Sequence, residues 1–277
     1  MMASFTVRSL PWAGNACCRL GDTPVVFPAG RAVQHCQRMT KGVALLRQLR
    51  VFADVSEGDL QAAAHAVTSQ RHRRGHTVVE QGAEADAVYG VLSGRLKVVL
   101  PGPDGTDATV AVLGPGEIFG ELALLRRSTR SARVVALDDV ELARLAGAAF
   151  LELVARSHAL SRQLNTMLAE RMLGMGGHLE SVTTSPVAQR VARALLELVT
   201  PHLPRNARTA TLDPSLSQQE LAELAHASRQ SVNECLQRWR RDGILEHDRR
   251  RVVFHDLPRL RALAEGPAPP ARSHRRG

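Results

Sequence analysis

Two stretches of this 277-residue chain hold polar side chains at spacings that serve recognition. The first is Leu216-Ser217-Gln218-Gln219-Glu220-Leu221-Ala222-Glu223-Leu224-Ala225-His226-Ala227-Ser228-Arg229-Gln230-Ser231-Val232-Asn233. Ser217 and Glu220 have the spacing of a capping box, which opens a helix. Leu221, Leu224 and Ala225 give that helix an apolar face. After a short turn, Ser228 caps a second helix that buries Val232, Leu236 and Trp239. Its other face carries Arg229, Gln230, Asn233, Glu234 and Gln237. Two short helices joined by a tight turn, the second opening on hydrogen-bonding side chains, make a helix-turn-helix. Arginine can read guanine, glutamine and asparagine can read adenine, and glutamate can accept from cytosine. Arg229, Gln230, Asn233 and Glu234 are therefore the expected base readers. Ser217, Gln218 and Arg238 are expected on phosphate, with Ser228 and Ser231 completing the set.

Gly243 ends the second helix. Ile244-Leu245-Glu246 and Val252-Val253-Phe254 then read as a hairpin around His247-Asp248-Arg249-Arg250-Arg251. This small wing would bring Arg249, Arg250 and Arg251 to phosphate.

The other stretch is Phe119-Gly120-Glu121-Leu122-Ala123-Leu124-Leu125, followed by Arg130-Ser131-Ala132. Backbone N–H groups of a short helix after Gly120, through Glu121, Leu122 and Ala123, can face an anion. Arg130 adds a fork suited to phosphate and Ser131 a hydroxyl. Glu121 would pair electrostatically with Arg130. Alternatively, Glu121 and Arg130 form only a structural ion pair in a pocket that binds nothing.

The elements that must hold these groups follow from the apolar pattern. Residues 1–42 lack periodicity and hold Pro11, Pro24, Pro28 and Gly30, so a disordered extension is expected there; organised sequence begins right after Met39. Leu45, Leu46 and Leu49, then Leu60, Ala63, Ala64 and Val67, fall at helical spacing. From about Thr77 to Leu145, short β-rich runs alternate with turn signals such as Ser93-Gly94 and Gly114-Pro115-Gly116. This predicts an antiparallel β-roll or jelly-roll-like sheet over 43–147 and an α+β fold class. Residues 148–182 return to helical spacing. Leu164, Leu168, Met172, Met175, Leu179 and Val182 form a stripe close to a coiled-coil seam, a natural homodimer axis. Gly174, Gly176 and Gly177 weaken that helix, by about 1 kcal/mol each, and would mark a hinge or an end. Ser185-Pro186 opens a further helix. The DNA-binding unit is placed at 183–263 and a disordered basic tail at 264–277.

Charge is unevenly distributed. The net +9 divides into +4 over residues 1–42, −1 over 43–180 and +6 over 181–277. A basic last third suits a polyanion partner. Cys17, Cys18, Cys36 and Cys235 form no C-x-x-C pair, so neither a disulfide scaffold nor a zinc knuckle is expected, and a reducing cytoplasm fits. His65, His72, His76, His158 and His178 could serve as haem ligands by residue type only. No apolar run is long enough to span a membrane. No P-loop, nucleophile elbow or H-E-x-x-H occurs, so no catalytic residue is assigned and the chain is expected not to be an enzyme.

Residues 209–262 resemble the winged helix-turn-helix of the CRP/FNR transcription regulators. Residues 43–182 look like that family's cyclic-nucleotide-binding β-roll and dimer helix. The resemblance implies a cytoplasmic homodimer acting on a near-palindromic site in double-stranded DNA, with RNA polymerase as a further partner. It makes the Phe119–Ala132 stretch a phosphate-binding cassette for cyclic AMP or cyclic GMP, with Glu121 accepting from the ribose 2′-hydroxyl. Three departures stand out. His226 occupies the place of the family's turn glycine. Arg126-Arg127-Ser128-Thr129 replaces a loop in which relatives carry glycine and proline. Met175 and Gly176 stand where the catabolite activator has the hydroxyl pair that holds adenine, and neither can hydrogen-bond a purine amino group. Two alternatives remain beside an effector-controlled regulator: an effector-independent regulator with a degenerate pocket, and a signalling subunit that binds a cyclic nucleotide and acts on a protein partner.

Overall fold

The structure, a computed structural model, describes residues 8–9, 15–20, 23–101, 107–199, 203–204, 206–212, 216–248 and 251–266. Side chains are described from residue 38 onward, except 174–184. The strands are β1 Arg8–Ser9, β2 Asn15–Leu20, β3 Thr23–Pro28, β4 Val67–His72, β5 Thr77–Val79, β6 Ala87–Ser93, β7 Leu96–Pro101, β8 Asp107–Leu113, β9 Ile118–Phe119, β10 Arg133–Ala136, β11 Val140–Ala146, β12 Ala210–Leu212, β13 Leu245–His247 and β14 Val252–Phe254. The helices are α1 Ala29–Arg47, α2 Glu57–Ala64, α3 Glu121–Arg126, α4 Gly147–Arg156, α5 His158–Thr184, α6 Val187–Val199, α7 Gln218–Leu224, α8 Arg229–Arg241 and α9 Leu257–Glu265.

The chain divides into two compact units, residues 1–96 with 113–170, and residues 97–112 with 171–277. In the first, four antiparallel strands run in the order β4-β11-β6-β9, with Leu145 opposite Val67 on one side and Val88 on the other. Strands β5 and β10 also pair antiparallel, with Val134 opposite Val79. Strand β6 is buried along most of its length, as a strand covered on both faces must be. Leu46, Phe52, Leu60, Val88, Ile118, Leu145, Phe150 and Leu160 meet in one apolar core. Arg95 donates to both carboxylate oxygens of Asp138 at 2.6 and 2.8 Å, a buried two-pronged pair between the β6–β7 and β10–β11 turns.

The predicted β-rich runs all lie in strands, and the α+β class with a roll and a C-terminal helix-turn-helix holds. Three expectations differ from the structure. Residues 1–42 were expected to lack regular structure. Instead, β1–β3 pair antiparallel and α1 runs from Ala29 through the expected boundary to Arg47. Short β-rich runs such as Thr23-Pro24-Val25-Val26-Phe27 can form a hairpin without long-range periodicity. Val67, read as the last position of a helical stripe, opens β4, because α2 stops at Ala64. At the other end, α9 carries regular structure to Glu265, inside the segment expected as a tail. The rest of that tail, 267–277, lies outside the described residues.

Two histidines make the fold sensitive to acid. His72 stacks on His76, with ring centroids 4.7 Å apart. Burial, and then the neighbouring imidazole, hold His72 below the usual histidine range. Burial, and then Arg240, lower His247 despite Asp248. Each group binds its proton more readily when unfolded. The stability it contributes is therefore complete above the unfolded pKa of about 6.5 and is lost as pH falls toward the folded value. The urea midpoint is expected to drop between pH 7.5 and 5.5, and to drop less in a His72→Gln, His247→Gln double variant. An equal drop in both proteins would assign the acid sensitivity elsewhere.

Candidate nucleic-acid interface and effector site

The second unit is built around α8. Val232, Leu236 and Trp239 are buried together with Leu195 and Leu198 of α6, Leu221 of α7, Phe254 of β14 and Leu257 and Leu260 of α9. Helix α7 opens with both capping-box bonds: Glu220 N donates to Ser217 Oγ at 3.1 Å, and Ser217 N donates to Glu220 Oε2 at 2.7 Å. Ser228 caps α8 by accepting from Ser231 N at 3.0 Å. The expected outward face is outward: Arg229, Gln230, Asn233, Glu234, Gln237 and Arg238 are all exposed, and Ser231 is half-buried. Gln218 Nε2 donates to Asn233 Oδ1 at 3.1 Å, bridging the two helices. Gln230 Nε2 donates to Glu234 Oε1 at 3.1 Å, so these two readers hold one another in the free protein. Cys235, on the same helix, is half-buried. Burial, and then Glu234, push its thiol up against Arg238, which makes it a poor thiolate.

The turn between the helices runs through His226 at φ 46°. This is the left-handed backbone for which glycine is the usual residue, and histidine adopts it at some strain. Arg190 of α6, which the sequence reading did not single out, braces that turn. Its Nε donates to Ala225 O at 2.9 Å, Nη2 to His226 O at 2.9 Å and Nη1 to Ser185 O at 2.8 Å. Main-chain acceptors leave no mark in a sequence, so no local signal pointed to it.

The wing is present. Its strands β13 and β14 pair antiparallel with His247 opposite Val252, one residue later on the first strand than expected. Strand β12, not anticipated, pairs with β14 and completes a three-stranded sheet. Exposed Arg251 lies 3.7 Å from Asp248. Arg249 and Arg250 lie outside the described residues.

In the roll, Gly120 sits at φ 84° and precedes α3. A Cβ there would come within 2.3 Å of Arg130 Nη1, so this position demands glycine twice over, by backbone angle and by contact. Arg130 is 4% exposed. Its Nη1 donates to Gly120 O at 3.0 Å and its Nη2 to Ala87 O at 2.8 Å, while the guanidinium lies 5.7 Å from the Tyr89 ring centroid. A carboxylate oxygen of Asp86 lies 3.5 Å from Arg130 Nη2. Asp86 also pairs with Arg144. Burial would raise the Asp86 carboxyl, but the Arg144 bond and charge, with Arg130, hold it below its ordinary range. Glu121 is buried at the head of α3, as is Ala123, whereas Leu122 is 41% exposed and Ser131 is exposed. Chain reversal at Arg127, with φ 52°, closes α3.

Helix α5 continues through Gly174, Gly176 and Gly177 to Thr184, so the glycines do not end it. The expected dimer stripe divides. Leu164 is 3% exposed and packs in the core of its own unit, a correction that arises because one apolar spacing serves both an intrachain and an interchain seam. Leu168 is half-buried; Met172 and its neighbour Leu173 are 74% and 79% exposed. The side chains of Met175 and Leu179 lie outside the described residues. Among the described residues, no cluster of three or more His, Cys, Asp or Glu could hold a metal, and no helix is long and apolar enough to cross a membrane.

Comparison with known proteins matches two separate stretches of the chain. Residues 69–157 match the cyclic nucleotide-binding domain family, and residues 189–263 match the Crp-like helix-turn-helix domain. The chain is 27% identical over 216 residues to the CRP-like cAMP-activated global transcriptional regulator of Mycobacterium tuberculosis, covering 78% of this chain and 96% of that protein. It is 29% identical over 218 residues to the cyclic AMP receptor protein of Thermus thermophilus, covering 78% and 97%. The fold is shared with FixK2 of Bradyrhizobium japonicum, with TM-score 0.64 at 20% identity over 73% of this chain and 99% of that one. A cyclic-nucleotide-binding type of roll and a winged helix-turn-helix in one chain define a class: transcription regulators. Within that class the chain belongs to the CRP/FNR family.

Proposed function

We propose that this protein is a cytoplasmic homodimer that reads a near-palindromic site in double-stranded DNA and passes the signal of a cyclic nucleotide, cyclic AMP or cyclic GMP, to RNA polymerase. The observation that carries the reading is α8: capped by Ser228, buried on one side by Trp239, and open on the other through Arg229, Gln230, Asn233 and Glu234. Base readout falls to these four, aided by Ser228 and Ser231. Phosphate contact falls to Ser217, Gln218, Arg238 and Arg249–Arg251. Exposed apolar side chains at Met172 and Leu173 support pairing through α5, with Leu168, Met175 and Leu179 continuing the seam. For the effector, Gly120, Glu121, Leu122, Ala123, Arg130 and Ser131 form the phosphate and ribose end, and Met175 holds the position that the family resemblance gives to base recognition. The domain scheme that goes with this is a roll over 43–147, a dimer helix over 148–182 and a DNA-binding domain over 183–263.

Selection of sites from random DNA, with and without each cyclic nucleotide, tests the proposal directly. A two-fold symmetric consensus with half-sites about one DNA turn apart is expected; recovery of unrelated sequences would sink it. On the selected site, Arg229→Ala is expected to cost about 1–3 kcal/mol and to relax one base position. Arg251→Ala should weaken all sequences alike and flatten the salt dependence. An unchanged affinity in Arg229→Ala, measured by fluorescence anisotropy, would remove that residue from the reading face.

A further inference from the structure

We propose that Arg190 is a positioning residue for DNA reading, joining the residue that follows the long helix α5 to the turn of the helix-turn-helix through a single guanidinium. The inference rests on the DNA-binding reading above. Three facts carry it. The acceptors are main-chain carbonyls on two separate elements: Ser185, one residue past α5, and Ala225 with His226, at the end of α7. All three bonds are 2.8–2.9 Å long, and the side chain is half-buried. The turn they grip carries histidine at φ 46°, so it lacks the glycine that would let it hold that shape unaided.

Terminal carbonyls of a helix have no partner within the helix. Arginine's planar fork satisfies two of those that end α7 while its third bond fixes Ser185. Ser185 is gripped a second time through its side chain, where Arg193 Nη1 donates to Ser185 Oγ at 3.3 Å and Nε of the same arginine donates to Ala264 O at 2.9 Å. The first turn of α8 begins at Arg229, three residues after His226. Helix α8 therefore cannot tilt relative to residue 185 without stretching these bonds. A shift at the end of α5 reaches the base-reading side chains through Arg190 and not through the apolar core alone.

The test uses the full chain as wild type, Arg190→Ala, Arg190→Lys, and Arg190→Ala combined with His226→Gly, on the site selected from random DNA and on an unrelated duplex. Arg190→Ala is expected to lower affinity for the selected site about ten-fold or more while leaving affinity for the unrelated duplex, the salt slope and cooperative thermal unfolding near wild type. Arg190→Lys, with one cationic point in place of a fork, should recover part of the loss. The His226→Gly change, by relaxing the turn, should recover selectivity in the alanine background. Unchanged selectivity in Arg190→Ala overturns the inference alone. Parallel loss of both affinities with early melting also overturns it, by making Arg190 a brace of the fold only. A wild-type chain with no site preference overturns the DNA-binding reading, and the inference with it.

Discussion

Trp239→Ala should cost about 3–5 kcal/mol of stability, as truncation of a buried aromatic side chain does. Trp239 is 2% exposed and sits on the inner face of α8, against residues of α6, α7, α9 and the wing strands. A domain of this size holds a margin of about 5–15 kcal/mol, so the loss is a large share of it. Because one side chain anchors the helix that carries every expected base reader, selected and unrelated DNA should be lost together. This distinguishes it from Arg229→Ala, which should affect only the selected site. Urea titration followed by circular dichroism provides the measurement. Trp239→Phe, which retains most of the apolar volume, should lie between the two proteins. A midpoint for Trp239→Ala within error of wild type would mean that α8 is not held as described.

Arg130→Ala is expected to have the second large effect, and on two readouts. Removing the guanidinium takes its donor from the buried Ala87 carbonyl, at about 1–3 kcal/mol for an acceptor left unsatisfied, and from the half-buried Gly120 carbonyl as well. It also removes the cation expected to meet a nucleotide phosphate. Calorimetry with cyclic AMP and cyclic GMP should give heat for the wild type and none for Arg130→Ala, assayed below its own melting temperature. Wild-type protein that stays silent at millimolar ligand would leave Arg130 as a structural residue only and make the regulator effector-independent. The geometry gives that outcome a clear meaning: two arms of the fork already bond main-chain oxygens.

How much of this was legible in the sequence depends on what each element is made of. The caps at Ser217 and Ser228 were readable because capping is local chemistry, complete within four residues. The core positions Val232, Leu236 and Trp239 were readable because helical periodicity names them. The roll strands stood out against their glycine turns. Strand β4 did not, because Thr68-Ser69-Gln70-Arg71 is polar and Val67 continues the spacing of the preceding helix. Leu164 was misassigned for a related reason, since spacing specifies a buried stripe without specifying what buries it. Arg130 was identified by type and place, yet the Asp86 carboxylate beside it was not, because Asp86 is distant in sequence. Arg190 was invisible for the same reason in stronger form: all its partners are backbone oxygens.

The serine caps have one consequence that concerns the direction of their hydrogen bonds. Ser217 Oγ receives the amide of Glu220 through a lone pair. Its hydroxyl hydrogen is a separate resource, and a DNA phosphate needs a donor. Helix start and phosphate contact therefore do not compete for the same half of the hydroxyl. An aspartate in that place would cap equally well, since capping asks only for an acceptor. It would offer the backbone of DNA a negative charge and no hydrogen. Among residues that can start α7, those that keep a donor hydrogen, serine, threonine and asparagine, are thus set apart from aspartate by the polarity of the partner and not by the stability of the helix.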